Sequence, residues 1–232
     1  MKAFINHHLF TQTSLDSGSL TMLGSVIHTL PKPGEYEGRV ILGTQTTATF
    51  RLSIGTDFRA TQVNIDLAAL SASRSEDHEN ESSCLANHRF AIQPNGHAVF
   101  FVSHGQGGYA VVVGKVGEKA PVFESTDLKE GDLFAATLIR PGTYSVVNLN
   151  TQARGEAVVE YPNLGKEPYH PPPPLMIECT KDALKPSRIR LKPAQGHVYS
   201  FKTRSRIKIE LSRADDGYEN EHRPGLSEGV SH

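Results

Sequence analysis

The feature that most restricts this chain is the recurrence, every 8–15 residues, of short runs alternating apolar and polar residues, with Gly or Pro between them. Residues 37–54 read as two strands, GRVIL and TATFRLSI, split by a polar turn at Gly43–Thr46. VNIDL (63–67), RFAI (89–92), AVFFVS (98–103), YAVVVGKV (109–116), DLFAATLI (132–139), TYSVVN (143–148) and EAVVEY (156–161) follow. A period of two sends successive side chains to opposite faces of a sheet. Many short strands so spaced predict an all-β sandwich or barrel. Helical spacing is confined to 15–30 and 66–73.

With 232 residues the chain is long enough to bury a sizeable core. Only 38% of it is hydrophobic and the mean hydropathy is −0.35, so part of it is read as loop or tail. Its 24 basic and 25 acidic residues nearly cancel, which leaves any electrostatic argument local. Cys84 and Cys179 are read as two buried thiols of a reducing compartment, with one disulfide as the alternative. There is no apolar run of signal-peptide length at the start and none long enough to span a membrane. The expectation is a soluble, cytoplasmic protein with no membrane contact.

The organisation read from composition is an N-terminal tail (1–20), a sandwich region (21–162), a proline-rich linker (163–174), a short basic β unit (175–212) and a disordered tail (213–232). The alternative for the proline segment is that it wraps along the sandwich surface. RFAIQPNGHAVFFVSHGQGGYAVVV (89–113) can be laid over RIRLKPAQGHVYSFKTRSRIKIEL (188–211), each with a Pro turn and a Gly-His pair. A true duplication and the general likeness of Gly/Pro hairpins both account for this.

Residues 140–161, RPGTYSVVNLNTQARGEAVVEY, resemble the closing hairpin of the cupredoxins, the blue-copper sandwiches. The resemblance extends over about 89–162 and implies a Greek-key β-sandwich, here with additional N-terminal strands and a short C-terminal β unit. In that family the strand after the turn ends in a ligating Cys, followed by a His and usually a Met. Asn148 stands where the Cys would fall, Tyr109 stands near a usual His position, and 149–154 hold no ligand. Blue copper requires a thiolate and imidazoles, so the resemblance implies a fold without its cofactor.

Other sites weighed are local. His78, Cys84 and His88, with His97 and His104 from neighbouring segments, form an alternative copper or zinc set. SHGQGGY (103–109) lacks the helix that a phosphate cradle needs, and Ser103 and His104, adjacent on a strand, point to opposite faces. Eight of the basic residues fall in 185–208. Arg188, Arg190, Lys192, Arg204, Arg206 and Lys208 alternate there with aliphatics, which places cations on one face. A solvated face is one reading; a partner-binding surface for an anionic protein segment, such as Glu76, Asp77, Glu79 and Glu81 of the same or a neighbouring subunit, or for nucleic acid, is the other.

The expectation is therefore a non-catalytic structural or protein-interaction module without cofactor, assembling with itself or another protein. A metal-binding or redox protein and an anion or nucleic-acid binder are the alternatives. No nucleophile, base and orienter can be assembled from the sequence.

Overall fold

A computed structural model describes residues 11–72, 88–105, 107–161 and 169–215 and shows an all-β protein with a single short helix among the described residues. The first half contains β1 (Ser14–Asp16), β2 (Gly24–Leu30), β3 (Gly34–Leu42), β4 (Gln45–Ile54), β5 (Gln62–Asp66), α1 (Leu67–Ala72), β6 (Arg89–Ile92), β7 (Gly96–Phe101) and β8 (Tyr109–Lys115). The second contains β9 (Pro121–Glu124), β10 (Leu133–Thr137), β11 (Gly142–Asn148), β12 (Arg154–Val159), β13 (Leu175–Cys179), β14 (Leu184–Lys185), β15 (Arg188–Leu191), β16 (Gly196–Phe201) and β17 (Ile207–Ala214).

The helix expected over 66–73 is α1, entered through Asp66, whose Oδ1 accepts a hydrogen bond from Ala68 N at 3.1 Å. The helix expected over 15–30 is instead β1 and β2. Gly18, Gly24 and the β-branched Val26, Ile27 and Thr29 weaken a helix, and β2 gains a ladder on both edges, to β7 and β10. Nor is 1–20 wholly tail, because Leu15 and Leu20 are buried. Residues 175–212 do not close on themselves. β13, β14 and β16 join one sheet while β15 and β17 join another.

Strand order shows that the chain is built twice. One five-stranded sheet runs β6-β4-β3-β8-β9 and the other β15-β12-β11-β17-β1. In each, an edge strand pairs in parallel (β6 with β4, β15 with β12) and the remaining pairs are antiparallel. The seven-stranded sheet, β5-β7-β2-β10-β16-β13-β14, repeats the same order outward from its middle. Near the start of each repeat, residue n matches n + 108: Tyr36 and Tyr144, Ser17 and Ser125. Val26 pairs with Phe134, its own counterpart (26 + 108 = 134), so a pseudo-twofold axis passes through that pair. The first strand of each repeat is exchanged: β1 completes the second repeat's sheet and β9 the first's.

The repeated polar ties confirm the match. Ser125 N donates to Val111 O and Val111 N to Ser125 Oγ, both 2.9 Å; Ser17 N donates to Ile207 O at 2.9 Å and Ile207 N to Ser17 Oγ at 3.0 Å. Tyr36 Oη donates to Lys32 O and Tyr144 Oη to Arg140 O, each at 2.8 Å. Each tyrosine follows a Pro-Gly turn whose glycine, Gly34 or Gly142, has φ of 142° or 147°, a conformation other residues rarely adopt.

The segments 89–113 and 188–211 occupy matching places, but their Gly-His pairs do not. Phe100 lies opposite Val26 and Tyr199 opposite Phe134, so His197 corresponds to Ala98, one residue beyond His97. A one-residue offset in a strand reverses the face. His97 is exposed and His197 is fully buried.

Val26, Phe100, Phe134 and Tyr199 share one face of the seven-stranded sheet. Phe100 meets Phe50 of one five-stranded sheet at 6.1 Å, and Tyr199 shares a small cavity with Val146 of the other. Both outer sheets thus cover the same face, and the core lies between the layers. No helix among the described residues is long and apolar enough to cross a membrane.

Candidate functional site

The opposite face of the seven-stranded sheet is the most distinctive surface. On its four central strands it presents His97, Val99 and Phe101 (β7), Ser25, Ile27 and Thr29 (β2), Leu133, Ala135 and Thr137 (β10), and Gly196, Val198 and Ser200 (β16). These twelve positions carry no Asp, Glu, Lys or Arg, and all are at least partly exposed. α1 lies against β3, β4 and β8, and the described end of the proline segment reaches this face at Pro174, beside Gly196. Charge returns at the margins, as Asp66 on β5 and as Glu178 and Lys185 on β13 and β14. A groove of ≈ 310 Å³ crosses the junction of the repeats, floored by Ser25, Ala135 and Gly196 and flanked by Leu23, Phe101 and Pro174. Small side chains on central strands leave the backbone low, which is why the groove forms there.

The basic strands differ from this in a decisive way: every cation singled out from the sequence faces a carboxylate of its own chain. Arg188 Nε lies 2.8 Å from Glu156 Oε1, an ion pair not aligned as a hydrogen bond. Arg190 and Lys192 share Glu160, at 3.3 and 2.8 Å, and Lys192 holds the Glu160 carboxyl below its ordinary pKa. Arg204 forks onto Asp127 (2.8 and 2.7 Å) and Arg206 onto Asp16 (2.9 Å twice). Lys208 reaches Glu210 at 2.7 Å. The acidic loop Glu76–Glu81, expected as a partner, lies outside the described residues. The two bidentate pairs hold the exchanged strands in place: Asp16 ends β1, and Asp127 follows β9.

Asn148, in the place of the cupredoxin Cys, is a fully buried knot. Its Nδ2 donates to Ser205 Oγ at 2.9 Å, and its Oδ1 accepts from Asn150 N and Arg206 N, each at 3.2 Å. Those groups fix the turn after β11 to the start of β17. Replacing Asn148 by Ala removes its bonds to the buried Ser205 and to Arg206 N, which costs about 1–3 kcal/mol. Urea unfolding at pH 7 checks this; a loss below about 0.5 kcal/mol contradicts the assignment. Tyr109 is half-buried and its backbone carbonyl accepts from Leu20 N at 2.7 Å.

The alternative metal set is not assembled here. His78 and Cys84 lie outside the described residues. His97 Nδ1 is 3.0 Å from Thr29 Oγ1, and His104 Nδ1 is 2.7 Å from Ser103 Oγ. No three His, Cys, Asp or Glu side chains among the described residues converge for a metal. Cys179 is a buried thiol of the second repeat, its pKa pushed up to about 12 by burial.

Two histidines escaped the sequence reading. His28 Nδ1 is 2.6 Å from Asp132 Oδ1, Asp132 Oδ2 accepts from Lys129 N at 2.7 Å, and the imidazole stacks on Phe123 at 4.6 Å. This pair binds β2 to the turn before β10; no hydroxyl or thiol among the described residues bonds the ring's other nitrogen. Nothing near His28 in sequence predicts a partner 104 residues away. His197 sits edge-on to Tyr199 at 5.5 Å, and neither ring nitrogen has an aligned partner. The proline segment, where described, lies against the turn between β15 and β16: Tyr169 Oη donates to Pro193 O at 2.7 Å and Gln195 Nε2 to Pro173 O at 2.8 Å. Set beside known proteins, the chain matches no family model, no curated protein and no solved structure.

Proposed function

We propose that this protein is a non-catalytic structural or interaction module, built on a copper-free cupredoxin-like sandwich, which works by burying the outer face of its seven-stranded sheet against another protein surface. The observation that carries the reading is the uncharged platform on β7, β2, β10 and β16. Contiguous apolar surface on a soluble fold marks a contact site, and the centres of protein interfaces are depleted in charge. Ile27, Val99, Phe101, Leu133 and Val198 supply the apolar area, and Thr29, Thr137 and Ser200 supply hydroxyls that bond without demanding a charged partner. The anion or nucleic-acid reading draws less support, since Arg188, Arg190 and Lys208 already face carboxylates within the chain.

A photo-crosslinking residue at Val99, with Arg39 on the exposed face of β3 as control, tests the reading in the cell of origin. The expected result is a protein adduct from Val99 and none from Arg39. No adduct from Val99, or equal adducts from both, contradicts it.

A further inference from the structure

We propose that the second repeat holds one buried water molecule, bonded to Tyr199 Oη and Ser187 O, in the place that the Phe50 ring fills in the first repeat. Strand register aligns the two places. Phe100 and Tyr199 are counterparts, opposite Val26 and Phe134. The matched tyrosines, Tyr36 and Tyr144, pair with Leu52 and Ala157, which sets Phe50 against Gly155 two residues earlier. In the first repeat Phe50 brings a ring to within 6.1 Å of Phe100. In the second, Gly155 brings no side chain, and a cavity lies among Gly155, Val146, Leu184, Ser187 and Tyr199.

Two polar groups border this cavity. Tyr199 is 1% exposed, and its buried hydroxyl has no hydrogen-bond partner among the described residues. Burial, more than the nearby Cys179, raises the pKa of that hydroxyl, so it remains a neutral donor and acceptor. Ser187 O accepts from Glu156 N at 2.7 Å and keeps a second lone pair. It overhangs the space that Gly155 leaves: a Cβ built there would fall 2.7 Å from Ser187 O and 3.2 Å from Leu184 Cδ1. The centre of a water has ≈ 10 Å³ to occupy, which is room for a single molecule and for nothing as large as an organic ligand. A buried hydroxyl without a partner forfeits the bond that the unfolded chain makes to solvent. A water held by two polar groups restores it. The water ties β16 of the seven-stranded sheet to the turn before β15 of a five-stranded one, where the first repeat relies on ring packing.

A high-resolution crystal structure of the full chain and urea unfolding of Tyr199→Phe test this together. The structure should show one solvent peak within about 3.2 Å of both Tyr199 Oη and Ser187 O. Tyr199→Phe keeps the ring and its packing and removes only the hydroxyl. The folded-to-unfolded ratio should then fall about fivefold, read as a lower urea midpoint. If the hydroxyl bonds nothing, the same substitution deletes a buried unsatisfied group, and the midpoint rises instead. An unchanged or raised midpoint, or no peak beside Tyr199 Oη, overturns the proposal. The contact role of the sheet's outer face is independent of this result and is decided by the Val99 adduct.

Discussion

Gly38→Ala is expected to cost about 3 kcal/mol of unfolding free energy, a loss out of proportion to one methyl group. A Cβ built on Gly38 falls 1.9 Å from Cζ of Phe50, its cross-strand neighbour. Phe50 is fully buried, edge-on to Phe90 at 5.9 Å and against Phe100 at 6.1 Å, so its ring has nowhere to retreat. Overpacking of a close-packed core costs 1–3 kcal/mol and sometimes more. The second repeat solves the same strand pair in reverse, with Val146 opposite Gly155. The clash is therefore specific to Phe50. In a Phe50→Ala background, itself about 3–5 kcal/mol less stable, Gly38→Ala should cost close to nothing. Equal cost in both backgrounds would show that the glycine is required for its backbone and not for the space above it.

Acid should destabilise the protein through His197. Its imidazole is fully buried, and desolvation pushes its pKa from 6.5 down to about 4, offset in part by the Gln195 backbone. The unfolded chain then takes up a proton at this position that the folded chain refuses. Below pH 6.5 the unfolded state gains relative to the folded one, and stability falls until about pH 4, where the loss saturates. A displacement of about 2.5 pH units corresponds to roughly 3 kcal/mol. Glu160, held below its ordinary pKa by Lys192, adds its own acid sensitivity, so the test is a difference. Wild type and His197→Ala, which copies Ala98 of the first repeat, are unfolded in urea between pH 7.5 and 4. The variant should lose about 3 kcal/mol less over that range; parallel curves would mean that His197 is hydrated or protonated in the folded state.

How much of this was legible in the chain depended on how local the signal was. Alternation marked β7, β8, β11 and β12 because each strand's own residues carry it. The 15–30 segment misled because Leu15, Leu20, Met22, Val26 and Leu30 mimic helical spacing, although Gly18 and Gly24 already argued against a helix. The duplication was visible at 89–113 and 188–211 but misaligned by one residue, because a Gly-His pair is a stronger visual match than strand register. The better markers were the twin turns Pro33-Gly34-Glu35-Tyr36 and Pro141-Gly142-Thr143-Tyr144, 108 residues apart (34 and 142). The basic strands were correctly seen as one-sided. Their partners were not foreseeable, since Asp16 and Arg206 are separated by 190 positions. The uncharged platform was hidden for the same reason: its four strands come from four separate stretches of sequence.

Methionine oxidation in the cells that make the protein tests most directly whether this platform is a covered surface. Met176 is 57% exposed in the isolated chain and Met22 only 6%, so Met22 serves as an internal standard. Thioether oxidation follows solvent access. Met176, which pairs with Val198 on this face, should oxidise severalfold more slowly in the cell than in dilute purified chain, with Met22 resistant in both. Oxidation of Met176 as fast in the cell as in dilute purified chain would show the face open to water where the protein works, and would contradict its use as a contact surface.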